Sequence, residues 1–319
     1  MSRPDAFVPI AITQRSGFDE SVHFGAVVAL SRDGHVAYAA GDPDVSIYPR
    51  SSNKPMQAVA MVRAGLSLAP ELLALVCASH DGTPAHIDGV RRILSGAGLT
   101  DDALANTADL PLDPVSAAAA LRRGDHRRPL YMNCSGKHSG MLATCVCNGW
   151  SHDESYLAPE HPLQLRITET IAELAGQDVE HIGVDGCGAP AHVITLAGLA
   201  RCFRSIAIGA AGEAGHAVHT AMTAHPEMVG GDRRDVTTFM RRIPGLMAKD
   251  GADGVFAAAL PDGRAVALKV ADGANRARSA TMIAALDRVG VDVADVAPLV
   301  EEQLLGGGRP VGVVRSVLP

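Results

Sequence analysis

A change of hydrophobic period divides this 319-residue chain. Near the start, FGAVVAL and HVAYAAG flank the turn tetrapeptide SRDG, which predicts a β-hairpin. Near the end, LMAK, GVFAAAL, RAVALKVAD and RPVGVVRSV read as further strands, with PDG as a turn between two of them. Between them the apolar residues recur at helical spacing, in PELLALVCAS, HIDGVRRILSGAG, PVSAAAALRR, GKHSGMLATCVC, LQLRITETIAELAG, AHVITLAGLARCF and GEAGHAVHTAMTA, with HIGVDG as one interrupting strand. Toward the C-terminus, RSATMIAALDRVG and VADVAPLVEEQLL add two expected helices. Strands at both ends must pair with one another, so the expected class is α/β: a mixed antiparallel sheet flanked by helices, with a mostly helical subdomain beside it. A single domain is expected over 1–319, with the sheet subdomain at about 1–55 and 240–319 and the helical one at about 56–239.

Composition narrows the function. A net charge of −7 argues against nucleic acid or anionic lipid as a partner, and no stretch reaches 18 uncharged apolar residues. The start of the chain does not read as a secretion signal, so a cytoplasmic setting is expected and the six cysteines read as reduced thiols or metal ligands. Lysine is scarce: Lys54, Lys137, Lys249 and Lys269 are the only four among 28 cationic residues. Where arginine is the default cation, a retained lysine marks a place that calls for an amine able to lose its proton.

Three of those lysines stand in local patterns. Ser51-Ser52-Asn53-Lys54 opens a predicted helix, with Ser51 or Ser52 as N-cap and Pro55 in the first turn. A serine and a lysine three apart share a face, the arrangement of a Ser-Lys nucleophile pair, although a capping serine followed by a solvated lysine makes the same tetrapeptide. Cys77-Ala78-Ser79-His80-Asp81-Gly82 ends an apolar helix and offers a second hydroxyl, or simply a polar turn. Lys249-Asp250-Gly251 ends a predicted strand, as the Lys-x-Gly element of Ser-Lys acyl-transfer enzymes does, where the glycine lets substrate approach; taken alone it is a hairpin turn. Cys134, Lys137, His138 and Cys187 combine soft sulfur donors with nitrogen and would suit Zn²⁺, while isolated cysteines are also ordinary core residues. Cys145 and Cys147 point apart on a helix and make poor chelators.

Taken together and in order, RSSNKPMQA, CASHDG, MNCSGKHSGM, VDGCGAP, MVGG with RIPGLMAKDGADG, and DGANRA resemble the asparaginase II family, the Rhizobium-type L-asparaginases. The resemblance implies a serine-β-lactamase-like fold and hydrolysis of L-asparagine to L-aspartate and ammonia. It implies Ser51 with Lys54 as one Ser-Lys pair and Ser79 with Lys249 as a second. Arg50, His80, Asp185 and His138 would lie at the substrate, and one Zn²⁺ per chain would bind Cys134, Lys137 and Cys187. It also implies a homodimer. Two departures stand out: Val236 occupies the place of an expected cysteine, and the segment between Lys54 and Ser79 is a few residues short. A β-lactamase-like or glutaminase-type amide hydrolase, and a non-catalytic zinc-binding protein on the same scaffold, are the alternatives.

Overall fold

The computed structural model describes residues 4–318. The chain opens with β1 (Val8–Arg15), the long β2 (Phe18–Leu30), β3 (Val36–Ala40) and the short β4 (Ser46–Ile47). A 3₁₀ turn at Arg50–Asn53 then leads into α1 (Lys54–Arg63), α2 (Pro70–Val76), α3 (Pro84–Gly96), α4 (Pro114–Arg122), α5 (Ser135–Asn148) and α6 (Pro162–Ala175). Next come β5 (His181–Val184), β6 (Pro190–Thr195), α7 (Leu196–Ala207), α8 (Gly212–Ala224), α9 (Pro226–Val229) and α10 (Asp235–Arg242). The chain ends with β7 (Met247–Asp250), β8 (Val255–Ala259), β9 (Ala265–Val270), α11 (Arg278–Arg288), β10 (Gln303–Gly306) and β11 (Arg309–Ser316).

The two ends do meet. Eight strands form one sheet in the order β10-β11-β1-β2-β9-β8-β7, with β3 also on β2, and each of these pairings is antiparallel. β7 and β8 are buried along their whole length, which requires cover on both faces. α7 and α11 pack on this part of the sheet. Leu196, Leu199, Ala200, Phe203 and Ile206 of α7 recur at helical spacing and are all buried. The expected α/β arrangement, a mixed sheet of antiparallel pairings with helices packed on it, is therefore what the chain adopts.

Local expectations fail in three places. AHVIT was expected to begin a helix and instead forms β6, the centre of a small sheet β4-β6-β5. Its β-branched Val193, Ile194 and Thr195 favour the strand, and Thr195 then caps α7 by accepting from Gly198 N. VADVAPLVEEQLL gives only a 3₁₀ turn at Ala297–Leu299 followed by β10, because Pro298 removes an amide donor from any continuous helix. Ser51 and Ser52 are not the N-cap of α1: both lie inside the 3₁₀ turn, and Asn53 takes the cap position without a side-chain bond.

Candidate active site

The turn at residues 50–53 is fastened from two sides. Arg50 has a φ of 52°, in the left-handed region that a residue with a Cβ enters at a cost. Its guanidinium donates to Asp185 Oδ1 at 2.9 Å and also pairs with the Asp253 carboxylate. Asp253 itself has a φ of 54°. Sequence reasoning missed Asp253, and its only signal was the turn-forming run KDGADG. The buried Ser52 hydroxyl donates to Lys249 O at 3.0 Å and ties the turn to the end of β7. A Cβ on Gly251 would lie 2.6 Å from Pro49 O and 3.0 Å from Ser52 Oγ. The glycine expected to admit substrate thus admits this turn. Ser51, partly exposed like Arg50, makes no side-chain hydrogen bond among the described residues.

The lysine that shares this turn reaches inward. Lys54 Nζ donates to Ala78 O at 2.5 Å and to Ser79 Oγ at 3.1 Å. The structure therefore joins Lys54 to Ser79, across 25 residues of sequence, and records no hydrogen bond from Lys54 to Ser51 or from Lys249 to Ser79. Burial is the main influence on Lys54 and lowers its pKa from 10.5 to about 8, with Cys134 opposing and Lys249 and Lys137 assisting. About a tenth of such an amine is neutral at pH 7, against well under a thousandth for an ordinary lysine. Lys249, fully buried on β7, donates to Asp250 Oδ1 and Asp250 O, both at 2.6 Å. Its pKa is lowered by burial, against the pull of Asp250.

Ser79 is held by its backbone. Ser79 N donates to Val229 O at 3.0 Å and Asp81 N to Gly230 O at 2.8 Å, so residues 79–81 are tied to the end of α9. His80, between them, turns into the protein. Gly82 N donates to its Nδ1 at 3.1 Å, which leaves Nε2–H to donate to Ser135 Oγ at 2.9 Å. Both ring nitrogens are committed within the fold, and the ring stacks on His86.

A third group gathers Cys134 at the start of α5, His138 one turn on, and Cys187 from the loop joining β5 and β6. One donor atom from each lies within 4.8 Å of the other two. Lys137 Nζ donates to Cys187 Sγ at 3.2 Å. His138 Nδ1 lies 2.8 Å from the Tyr156 hydroxyl, and its buried Nε2 has no partner. A hydrogen bond from Cys134 draws the Cys187 thiol far below its ordinary value, with Lys137 and His138 assisting, while burial pushes Cys134 up. A thiolate, a second thiol and an orphaned imidazole nitrogen fit a soft divalent cation such as Zn²⁺. Asp185 links this group to the turn by its bond to Arg50.

The sequence model of the L-asparaginase II family matches residues 11–316, nearly the whole chain. The chain belongs to the L-asparaginase II family. Membership makes it a hydrolase of the amidohydrolase kind with a small-molecule substrate. No curated protein matches the chain. Among solved structures it is similar to Mglu in its native form, at 16% identity and a TM-score of 0.43, covering 82% of this chain and 62% of that one. It is similar to a beta-lactamase from Mycobacterium bovis at 16% identity and a TM-score of 0.40, covering 84% and 95%. The probable glutaminase ybaS aligns at 19% identity and a TM-score of 0.44, covering 85% and 87%. Among the described residues no helix is long and apolar enough to cross a membrane.

Proposed function

We propose that this L-asparaginase II family member hydrolyses L-asparagine to L-aspartate and ammonia by Ser-Lys acyl transfer, with Ser51 as nucleophile. The observation that carries the reading is the buried Lys54 amine, depressed to about 8 and bonded to Ser79 while its backbone N–H closes on Ser51 O. Such an amine accepts a proton near neutral pH, as a general base must. Ser51 Oγ attacks the side-chain amide carbon and its proton passes to Lys54. Collapse of the tetrahedral adduct breaks the C–N bond, and the proton leaves with the departing nitrogen as ammonia. Water then adds to the aspartyl ester, the same amine takes its proton, and as the ester C–O bond breaks that proton passes to Oγ and restores Ser51. Ser79, bonded to Lys54, and the buried Lys249 complete the proton network. Arg50 and Asp185 supply the opposite charges that an amino-acid zwitterion requires. His80 supports the site from within the fold by holding Ser135 and the Gly82 backbone.

Zinc belongs to this reading. Cys134 and Cys187 would hold it, with Lys137 as the third ligand that the family resemblance implies and the orphaned His138 Nε2 as the nitrogen donor that geometry favours. When bound, Zn²⁺ supplies a positive charge that orients a carboxylate or amine of the substrate. We propose a homodimer on the same resemblance, and a cytoplasmic setting on the sequence reading given above. Ammonia release from L-asparagine tests the proposal, with L-glutamine and a cephalosporin as competing substrates. Turnover of asparagine that disappears in a folded Ser51→Ala variant is expected. Turnover of glutamine or of the lactam alone would reassign the substrate, and no turnover with zinc bound would leave a non-catalytic zinc protein.

A further inference from the structure

Outside the residues already assigned, one part-buried cation joins two polar segments of the site, residues 79–81 and the end of β7. Arg234 precedes α10, and its guanidinium reaches two carboxylates, with NH1 at 3.4 Å from Asp81 Oδ1 and NH2 at 2.5 Å from Asp250 Oδ2. Asp81 stands two residues beyond Ser79, and Asp250 is next to Lys249, whose amine takes its other oxygen at 2.6 Å. The chain leading to Arg234 is the same one that accepts from Ser79 N through Val229 O and from Asp81 N through Gly230 O. A Cβ on Gly231 would fall 2.0 Å from Asp81 Oδ2, so this loop is pressed against Asp81. Arg278 also reaches Asp250 Oδ2, at 3.5 Å, and donates to Gly251 O at 3.0 Å. Asp250 therefore keeps a cation if Arg234 is removed, whereas Arg234 is the one cation paired with Asp81 among the described residues.

We infer that Arg234 is a positioning residue, a clamp that sets the Ser79 hydroxyl and the Lys249 amine at a fixed separation by holding Asp81 and Asp250 on two arms of one planar group. The inference rests on the proposed roles of Ser79 and Lys249. A guanidinium is suited to this because its donors are held in a rigid fork, while a lysine ammonium is a single point of charge on a flexible stem. Arg234 touches neither Ser79 nor Lys249, so its loss acts through geometry. A misplacement on the order of 1 Å at reacting groups lowers turnover by about 100-fold.

The test is steady-state ammonia release from L-asparagine by the full-length protein and the variants R234K, R234M and D81N. All three should lose kcat by roughly 10- to 100-fold, with KM within about threefold of wild type, because the clamp positions proton-transfer groups and leaves substrate binding alone. R234K separates geometry from charge: it keeps the cation and the fold, yet should remain impaired. The double variant R234M/D81N should be no worse than the poorer single one, since both cut the same link. If R234M fails to fold, R234K and D81N carry the test. Kcat within threefold of wild type in R234K and D81N overturns the inference, as does full additivity in the double variant. A wild-type protein that releases no ammonia from asparagine overturns the hydrolase reading instead, and the clamp falls with it.

Discussion

Replacing Lys54 by Met measures what its burial does to the fold. The side chain is 3% exposed, and burial brings its pKa from 10.5 to about 8. At pH 7 the amine is protonated in both the folded and the unfolded chain, and each pH unit between those two values is worth about 1.4 kcal/mol. The buried ammonium therefore costs the folded state about 3 kcal/mol at pH 7. At pH 9.5 the folded protein has released that proton while the unfolded chain still holds it, and the cost falls to about 1 kcal/mol. Because the unfolded state binds more protons between about pH 8 and 10.5, stability rises with pH in that window. The stability of wild type minus that of Lys54→Met should thus increase by about 2 kcal/mol between pH 7 and pH 9.5. Lys249 and Lys269, also lowered by burial, are common to both proteins and cancel in the difference. Urea unfolding followed by circular dichroism, run on both proteins at matched pH values, reads this directly. A difference independent of pH would refute the desolvation argument, and with it the neutral amine on which the proton transfer depends. The variant should also be inactive, since Met can neither take nor return a proton.

The same amine sets the pH–rate profile: kcat/KM for asparagine should rise through about pH 8 and fall close to tenfold per unit below pH 7, as the fraction of neutral Lys54 does. Cys187→Ala should weaken zinc binding at least tenfold in competition with a chromophoric chelator. His138→Gln should weaken it as well, and unchanged affinity there would return the nitrogen position to Lys137. Gly136→Ala should lower the melting temperature markedly, because the new Cβ would lie 2.3 Å from Leu75 O where α5 crosses α2. Gly96→Ala, at the end of α3 with nothing within 4 Å, should be neutral or stabilising by a few tenths of a kcal/mol. Equal melting temperatures for the two glycine variants would show that α5 can shift without penalty.

Periodicity alone determined that this chain folds as a sheet built from its two ends with helices between them. A strand or helix with one buried side writes that side into its own residues, as α7 does at 196, 199, 200, 203 and 206. The rare lysines and the ordered motifs likewise single out Ser51, Lys54, Ser79, Lys249 and the cysteines as candidates for the chemistry. Short elements were less legible, because a few apolar residues fit either period: AHVIT became β6, and Pro298 broke a run that otherwise reads as helix. Of the partners across long separations, the sequence grouped Cys134, Lys137 and His138 with Cys187 and left the others unread. Nothing local to Lys54 says that its amine turns to Ser79 rather than Ser51, that Arg50 pairs with an aspartate 203 residues away, or that Arg234 stands between Asp81 and Asp250. Those distances follow from how the turn at 50–53, the end of β7 and residues 79–81 pack together. A sequence pattern records which side of an element is buried. Only the packed structure decides what it is buried against.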